Sequence, residues 1–261
     1  MNIALVSLDQ VWEDKELNIK ECEIYIEEAS NNKADLIIFP EMTLTGFSMD
    51  IELIGEKKES SASVNYFQKL AKTYQIAIIF GVVFLNNNKA TNNLIFVDRN
   101  GKMIVQYTKI HPFSFSGEGE VYQGGDKIGL VEFKDCTVGL SICYDLRFPE
   151  LYSALGNTSD LIINIANWPK RRISHWHSLL KARAIENQLF CIGVNRTGLD
   201  GNNLEYEESS LIFNANGESL SPDYTYKLMN IFAVNLNWTK LFKGKFNTTQ
   251  DRKIELYKEI I

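Results

Sequence analysis

The sequence predicts an α/β fold of mixed sheets with helices outside, and three observations predict it. Short apolar runs rich in β-branched residues alternate with stretches of helical period. Some of these runs instead follow one another directly, joined by Asn-Gly turns, so helix-separated strands mix with hairpins. No composition shift, low-complexity linker or solenoid-period repeat divides the 261 residues, so 1–261 is read as one domain with ample core.

In chain order, "NIALVSL" reads as the first strand. A helix follows in which Ile19, Cys22, Ile26 and Ala29 return every three or four residues. "ADLIIFP" is the next strand, "SVNYFQKLAKTYQ" the next helix, and "IAIIFGVVFL" a strand apolar enough to be buried on both faces. "NLIFVDRNGKMIVQYTK" is a pair of strands turning at Asn100 and Gly101, where a tight turn needs positive φ. "KIGLVEF" and "CTVGLSIC" form a similar pair. The helix "ELYSALG", the strand "DLIINIA", the helix "SHWHSLLKARAIENQ" and the strand "FCIGVN" follow, and "SLIFNANGESL" repeats the Asn-Gly turn.

Lysine and arginine number 27 against 33 acidic residues, a net charge of -6, which argues against a phosphate-neutralising surface and hence against nucleic acid. The one dense basic cluster, "KRR" at 170–172, also reads as a solvated loop. The opening "MNIALVSLDQVWEDKE" has no basic n-region and meets acidic residues early, so neither a secretory signal nor a membrane span is expected. Cys22, Cys136, Cys143 and Cys191 lack Cys-x-x-Cys spacing and read as reduced thiols of a cytoplasmic protein, with no metal site and no cofactor implied.

Three reactive side chains each end an apolar strand: Glu41 after "ADLIIFP", Lys109 after "MIVQYT" and Cys143 after "TVGLSI". Ligands of α/β sheets gather beyond the carboxyl ends of strands. Singly, each has a plain alternative: Glu41 a loop cap, Lys109 a solvated strand end, Cys143 a small core residue. Together they fit one chemistry. A thiol with an ordinary pKa of about 8.5 needs a base or a cation to become a nucleophile. Glu41 supplies the base, and Lys109 the cation for thiolate and oxyanion. Pro149 and Glu150 mark a helix start, which predicts backbone N–H groups near the thiol.

Competing motifs are weaker. "GLSIC" approaches the Gly-x-Ser-x-Gly elbow, but Cys143 replaces the last glycine and Ser141 falls inside strand alternation. His175 and His177 flank Trp176 at a spacing that sends them to different helix faces, against joint metal binding. His111 either lines the site or makes a loop contact.

"FPEMTLTG", "YTKIHPF" and "SICYDLRFPE" resemble, in order and spacing, the three signature segments of the nitrilase superfamily of carbon–nitrogen hydrolases. "ANWPKRRISHWHSLLKARAIENQ" and "IGVNRTGLDGNNLEY" resemble its ω-amidase branch, which deaminates 2-oxoglutaramate and 2-oxosuccinamate. The resemblance implies a four-layer αββα sandwich, usually a homodimer, acting on a small-molecule amide. It implies Glu41 as base, Lys109 as oxyanion stabiliser, Cys143 as acyl-forming nucleophile and the Tyr144 N–H as an oxyanion donor. It also implies a second glutamate, Glu118 or Glu120, with the spacing to Tyr122 and Gly125 favouring Glu118. Asn167 and Trp168 resemble pocket-lining positions, and Arg172 one that pairs with a substrate carboxylate, against the alternative of a solvated loop. An amidase for N-carbamoyl or other aliphatic amides, and a non-catalytic metabolite-binding protein, remain open.

Overall fold

The computed structural model describes residues 1–259. Its elements run β1 (Asn2–Val6), α1 (Lys15–Asn31), β2 (Leu36–Ile38), α2 (Ile51–Ile54), α3 (Ala62–Tyr74), β3 (Ala77–Asn86), β4 (Lys89–Val97) and β5 (Met103–Thr108). Then come α4 (Glu118–Val121), β6 (Gly129–Phe133), β7 (Cys136–Ile142), α5 (Pro149–Gly156), β8 (Leu161–Ala166), α6 (Ile173–Asn187) and β9 (Phe190–Asn195). The remainder is β10 (Gly198–Leu199), β11 (Glu205–Tyr206), β12 (Leu211–Phe213), β13 (Tyr224–Tyr226), β14 (Met229–Ala233), α7 (Asn237–Lys245) and α8 (Ile254–Lys258).

Two mixed sheets carry most of the strands, one ordered β13-β14-β1-β2-β3-β4-β5 and the other β12-β9-β8-β7-β6. The period-two pleat sorts their side chains into layers. In β1, Ala4 and Val6 face Cys22, Ile26 and Ala29 of α1 and Phe67 of α3. Ile3 and Leu5 face the other way, onto Val138, Leu140 and Ile142 of β7 and Ile163 of β8. In β8, Ile162 turns outward onto Trp176 and Leu180 of α6. Helices, sheet, sheet, helices is therefore the layer order, and the expected αββα sandwich is what the alternating apolar runs build. The fully buried Trp176 anchors the outer layer, its indole N–H donating to the Ser209 carbonyl at 2.9 Å.

The hairpin between β4 and β5 differs from the expected tight turn. Of its Asn-Gly pair only Gly101 has positive φ, +80°. The Asp98 N–H donates to the Lys102 carbonyl, and Asp98 Oδ1 accepts the N–H groups of Asn100 and Lys102, both at 2.9 Å. An aspartate-stapled three-residue loop replaces the two-residue one because the acceptor side chain stabilises the longer turn. Around Gly217, also at positive φ, the turn closes without a second strand; Phe213 and Ser219 form only an isolated bridge. β14, lying antiparallel to β1, and the segment after it were not anticipated.

Candidate active site

The chain end of β2 is held as a rigid loop. Gln10 Nε2 donates to the carbonyls of Glu41, Met42 and Thr43 at 3.0, 2.9 and 3.1 Å, and Asn167 Nδ2 donates to the Glu41 carbonyl at 2.7 Å. Met42 takes a left-handed φ of 46°, a strained conformation that such bonding sustains. β3 admits this loop only through Gly81. A Cβ there would lie 2.2 Å from the Met42 nitrogen and 2.9 Å from the Glu41 carbonyl carbon. Gly81→Ala should therefore lower unfolding stability by about 1–3 kcal/mol, read by urea denaturation. An unchanged midpoint would show that the loop yields.

The loop delivers the Glu41 carboxylate fully buried. Its Oε2 accepts the Asn167 N–H at 2.9 Å; its Oε1 accepts from Lys109 Nζ at 3.1 Å and Asn92 Nδ2 at 2.7 Å. Lys109 follows β5, its N–H donating to the Asn92 carbonyl and its carbonyl accepting from Gly125. Lys109 Nζ also reaches Glu118 Oε1 and Oε2 at 3.0 and 2.9 Å. Burial pulls the lysine pKa down, but the Glu118 and Glu41 carboxylates overcome this and raise it above the ordinary range, so it stays charged. Glu118, the first residue of α4, is buried whereas Glu120 is exposed. The neighbour of Lys109 is thus Glu118.

Cys143 ends β7 on a non-glycine φ of 45° and opens a 3-10 turn, Cys143–Arg147. This sharp strand-to-turn step is the elbow geometry sought in "GLSIC", but it is placed at the cysteine. Ser141 is instead buried in the strand, bonded to the Tyr152 hydroxyl at 2.7 Å and donating to the Ile163 carbonyl. Asp145 holds the elbow from behind. Its Oδ2 accepts from the Ile142 N–H at 3.0 Å and the Tyr107 hydroxyl at 2.7 Å, and its Oδ1 from the His111 N–H at 3.0 Å. α5 begins only at Pro149, so the amides that follow the thiol belong to the 3-10 turn rather than to that helix. Tyr144 is the second residue of this turn, where N–H groups lack an intrahelical acceptor. Burial and the Glu41 charge push the Cys143 thiol up, against the smaller pull of Lys109, so the resting thiol is protonated.

A cavity of about 380 Å³ opens over these groups, and Cys143, Lys109, Asn167, Trp168 and Arg172 all line it. Asn167 Oδ1 is buried with no partner among the described residues. Trp168 is fixed by its indole N–H donating to the Arg172 carbonyl at 2.8 Å. Arg147 and Arg171 join Arg172 in the wall, and none of the three is in an ion pair among the described residues. Partial burial, with Arg171 and Arg147 close by, lowers the Arg172 pKa below its ordinary value: it is a cation among cations, short of an anion.

His111 corrects the reading that put it against substrate. It does not line the cavity; its Nδ1 lies 2.7 Å from Asp145 Oδ1 and its ring stacks on Phe148 at 3.7 Å. Both its backbone and its ring are bound to the carboxylate that also holds the Ile142 N–H. His175 and His177 are exposed on either side of buried Trp176. Asn92, Asp145 and the hairpin β10–β11, whose Tyr206 reaches the cavity wall, were missed. Asn92 carried no signal, because it lies among polar residues before the apolar run 94–97 of β4.

The carbon-nitrogen hydrolase family profile matches residues 2–229. A hydrolase of the agr operon of Staphylococcus aureus is 34% identical, covering 99% of this chain and 100% of its own. Omega-amidase YafV of Escherichia coli K12 is 32% identical over 96% of both chains. The 2-oxoglutaramate amidase of Bacillus subtilis is 32% identical over 84% of this chain and 85% of its own. Among solved structures, a carbon-nitrogen hydrolase superfamily protein of Xanthomonas campestris with an arsenic adduct in its active site superposes with a TM-score of 0.89 at 28% identity, over 97% of each chain. Strand ends, buried charges and relatives agree: the chain belongs to the carbon-nitrogen hydrolase family.

Proposed function

We propose that this protein is a cysteine-dependent ω-amidase, hydrolysing 2-oxoglutaramate or 2-oxosuccinamate to the 2-oxo acid and ammonia through a thioester. The observation that carries the reading is a cavity lined by Cys143 and Lys109, with Glu41 paired to Lys109 beneath it and three guanidiniums in its wall that form no ion pair among the described residues. Relatives named ω-amidase and 2-oxoglutaramate amidase support the substrate class.

In the first half-reaction Glu41 takes the thiol proton as Sγ bonds to the amide carbon. One N–H of the Lys109 ammonium serves Glu41 and one is shared by the two Glu118 oxygens, which leaves a third for the oxyanion beside the Tyr144 N–H. The C–N bond then breaks, the nitrogen takes the proton from Glu41, and ammonia leaves. Water adds to the thioester, giving its proton to Glu41 with Glu118 assisting; the C–S bond breaks and the thiol regains its proton. The sum is amide plus water to carboxylic acid plus ammonia. Asn167 Oδ1 is a ready acceptor for a substrate amide N–H, and Trp168 packs the channel.

Arg172 takes the far carboxylate. Arg172→Ala should cut kcat/KM for 2-oxoglutaramate about 10–100-fold, mostly through KM, and barely alter turnover of a neutral aliphatic amide. Equal losses on both would remove the carboxylate role. A carbamoyl amino acid offers the same carboxylate, so the deciding experiment is an ammonia-release screen over ω-amides, N-carbamoyl amino acids and nitriles. Intact-mass detection of a Cys143 thioester accompanies it; no adduct and no ammonia across the panel would favour a binding protein. We further propose a homodimer in the cytoplasm. Four unpaired cysteines suit a reducing compartment, and no described helix is long and apolar enough to cross a membrane.

A further inference from the structure

We propose that Asn92 is a positioning residue that keeps Glu41 and Glu118 ionised together in the buried site, an inference resting on the amidase reading above. Glu41, Glu118 and Lys109 are all buried, and their charges leave one negative charge in excess. Two carboxylates sharing one ammonium in low dielectric tend to trap a proton. A proton held there would disarm Glu41 as the acceptor for Cys143.

Asn92, 2% exposed on β4, is placed to oppose this. Its single Nδ2 donates to Glu41 Oε1 at 2.7 Å and to Glu118 Oε1 at 3.3 Å, and its own carbonyl accepts the Lys109 N–H at 2.9 Å. Its side chain therefore bridges the two carboxylates, and the last of these bonds, backbone to backbone, fixes the strand end that carries Lys109. Because ionised carboxylates only accept, the amide has to present its nitrogen to them. That orientation leaves Asn92 Oδ1 buried with no partner among the described residues. Leaving that oxygen buried is costly, and the two bonds to carboxylates offset the cost. The other titratable groups facing the cluster are the Cys143 thiol and the Tyr122 hydroxyl, whose pKa the two glutamates help raise.

The test compares Asn92→Ser, Asn92→Ala and Asn92→Asp with wild type. It reads the pH profile of kcat/KM for 2-oxoglutaramate and, independently of any amide, the pH profile of Cys143 alkylation by iodoacetamide, followed by intact mass. Serine can donate to one carboxylate, alanine to none, and aspartate adds a third negative charge. At neutral pH kcat/KM should fall about tenfold in Ser, up to about a hundredfold in Ala and further in Asp, with KM little changed. The acid limb should climb by about one pH unit in Ala, and the alkylation midpoint should rise most in Asp.

A packing role predicts the opposite order, with the isosteric Asp closest to wild type and both profiles unmoved; that result overturns the proposal. Should Asp fail to fold, Ser against Ala still decides: equal pH profiles in those two overturn it, and a graded shift supports it. If wild type releases no ammonia from 2-oxoglutaramate, the amidase reading fails, while the alkylation profiles still judge Asn92.

Discussion

Cys143→Ala should release no ammonia from 2-oxoglutaramate and form no acyl adduct, a fall in kcat of about 10⁴-fold or more, while its melting temperature stays close to that of wild type. The two readouts separate because the reaction needs the sulfur itself, whereas the fold loses one half-buried atom at the edge of two core clusters. Cys143 is half-buried at the cavity floor, and its one polar contact among the described residues is a long 3.9 Å approach to the Asn167 carbonyl. Alanine also accepts the left-handed φ of 45° no worse than cysteine does, since both carry one Cβ. Ammonia release at the wild-type rate would sink the nucleophile assignment. A large drop in melting temperature would show instead that the elbow depends on the sulfur.

Lys109→Met should lose both activity and stability, by about 3–5 kcal/mol of unfolding free energy and about a thousandfold or more in kcat/KM. The methylenes of methionine fill much of the lysine's volume, so the loss reports the charge. Without the ammonium, two carboxylates that are 0% exposed face each other and one takes up a proton. The sign of the pH dependence follows. In wild type the folded-state pKa of Lys109 is raised, so its stabilisation is full below the ordinary lysine pKa and fades only as pH climbs through the folded value. In the variant the unpaired carboxylates are relieved by protons, so the stability deficit should be largest at neutral and mildly alkaline pH and shrink in acid. Adding Glu118→Gln to Lys109→Met should restore much of the stability and none of the turnover. A double variant no more stable than Lys109→Met would mean that the loss is not carboxylate repulsion.

The signals that read correctly in the chain are local ones. β3 and β8 were legible because nearly every side chain is apolar, as burial on both faces demands. Glu41, Lys109 and Cys143 were legible because each interrupts such a run at its carboxyl end, where a fold of this class puts ligands. β10, β11 and β13 are two or three residues long, too short for alternation to register. His111 stayed open between cavity wall and loop contact because it lies two residues beyond Lys109, and nearness in sequence does not say which way a loop turns.

What the sequence by itself determined is the mixed-sheet α/β class with helices outside and the three reactive side chains, since period-two and period-3.6 patterns encode which faces are buried and strand ends mark where chemistry can sit. The four-layer order was what the family resemblance implied. Only the tertiary structure decided that Glu118 and not Glu120 meets Lys109, that Asn92 bridges the carboxylates, and that Asp145 and His111 brace the elbow from behind. These pairings join residues from different strands and loops. Their distances are set by the lateral order of β2, β4 and β5 within one sheet and, for the pairs that involve Asp145 or Asn167, by how the two sheets pack face to face, neither of which a pattern along one segment records.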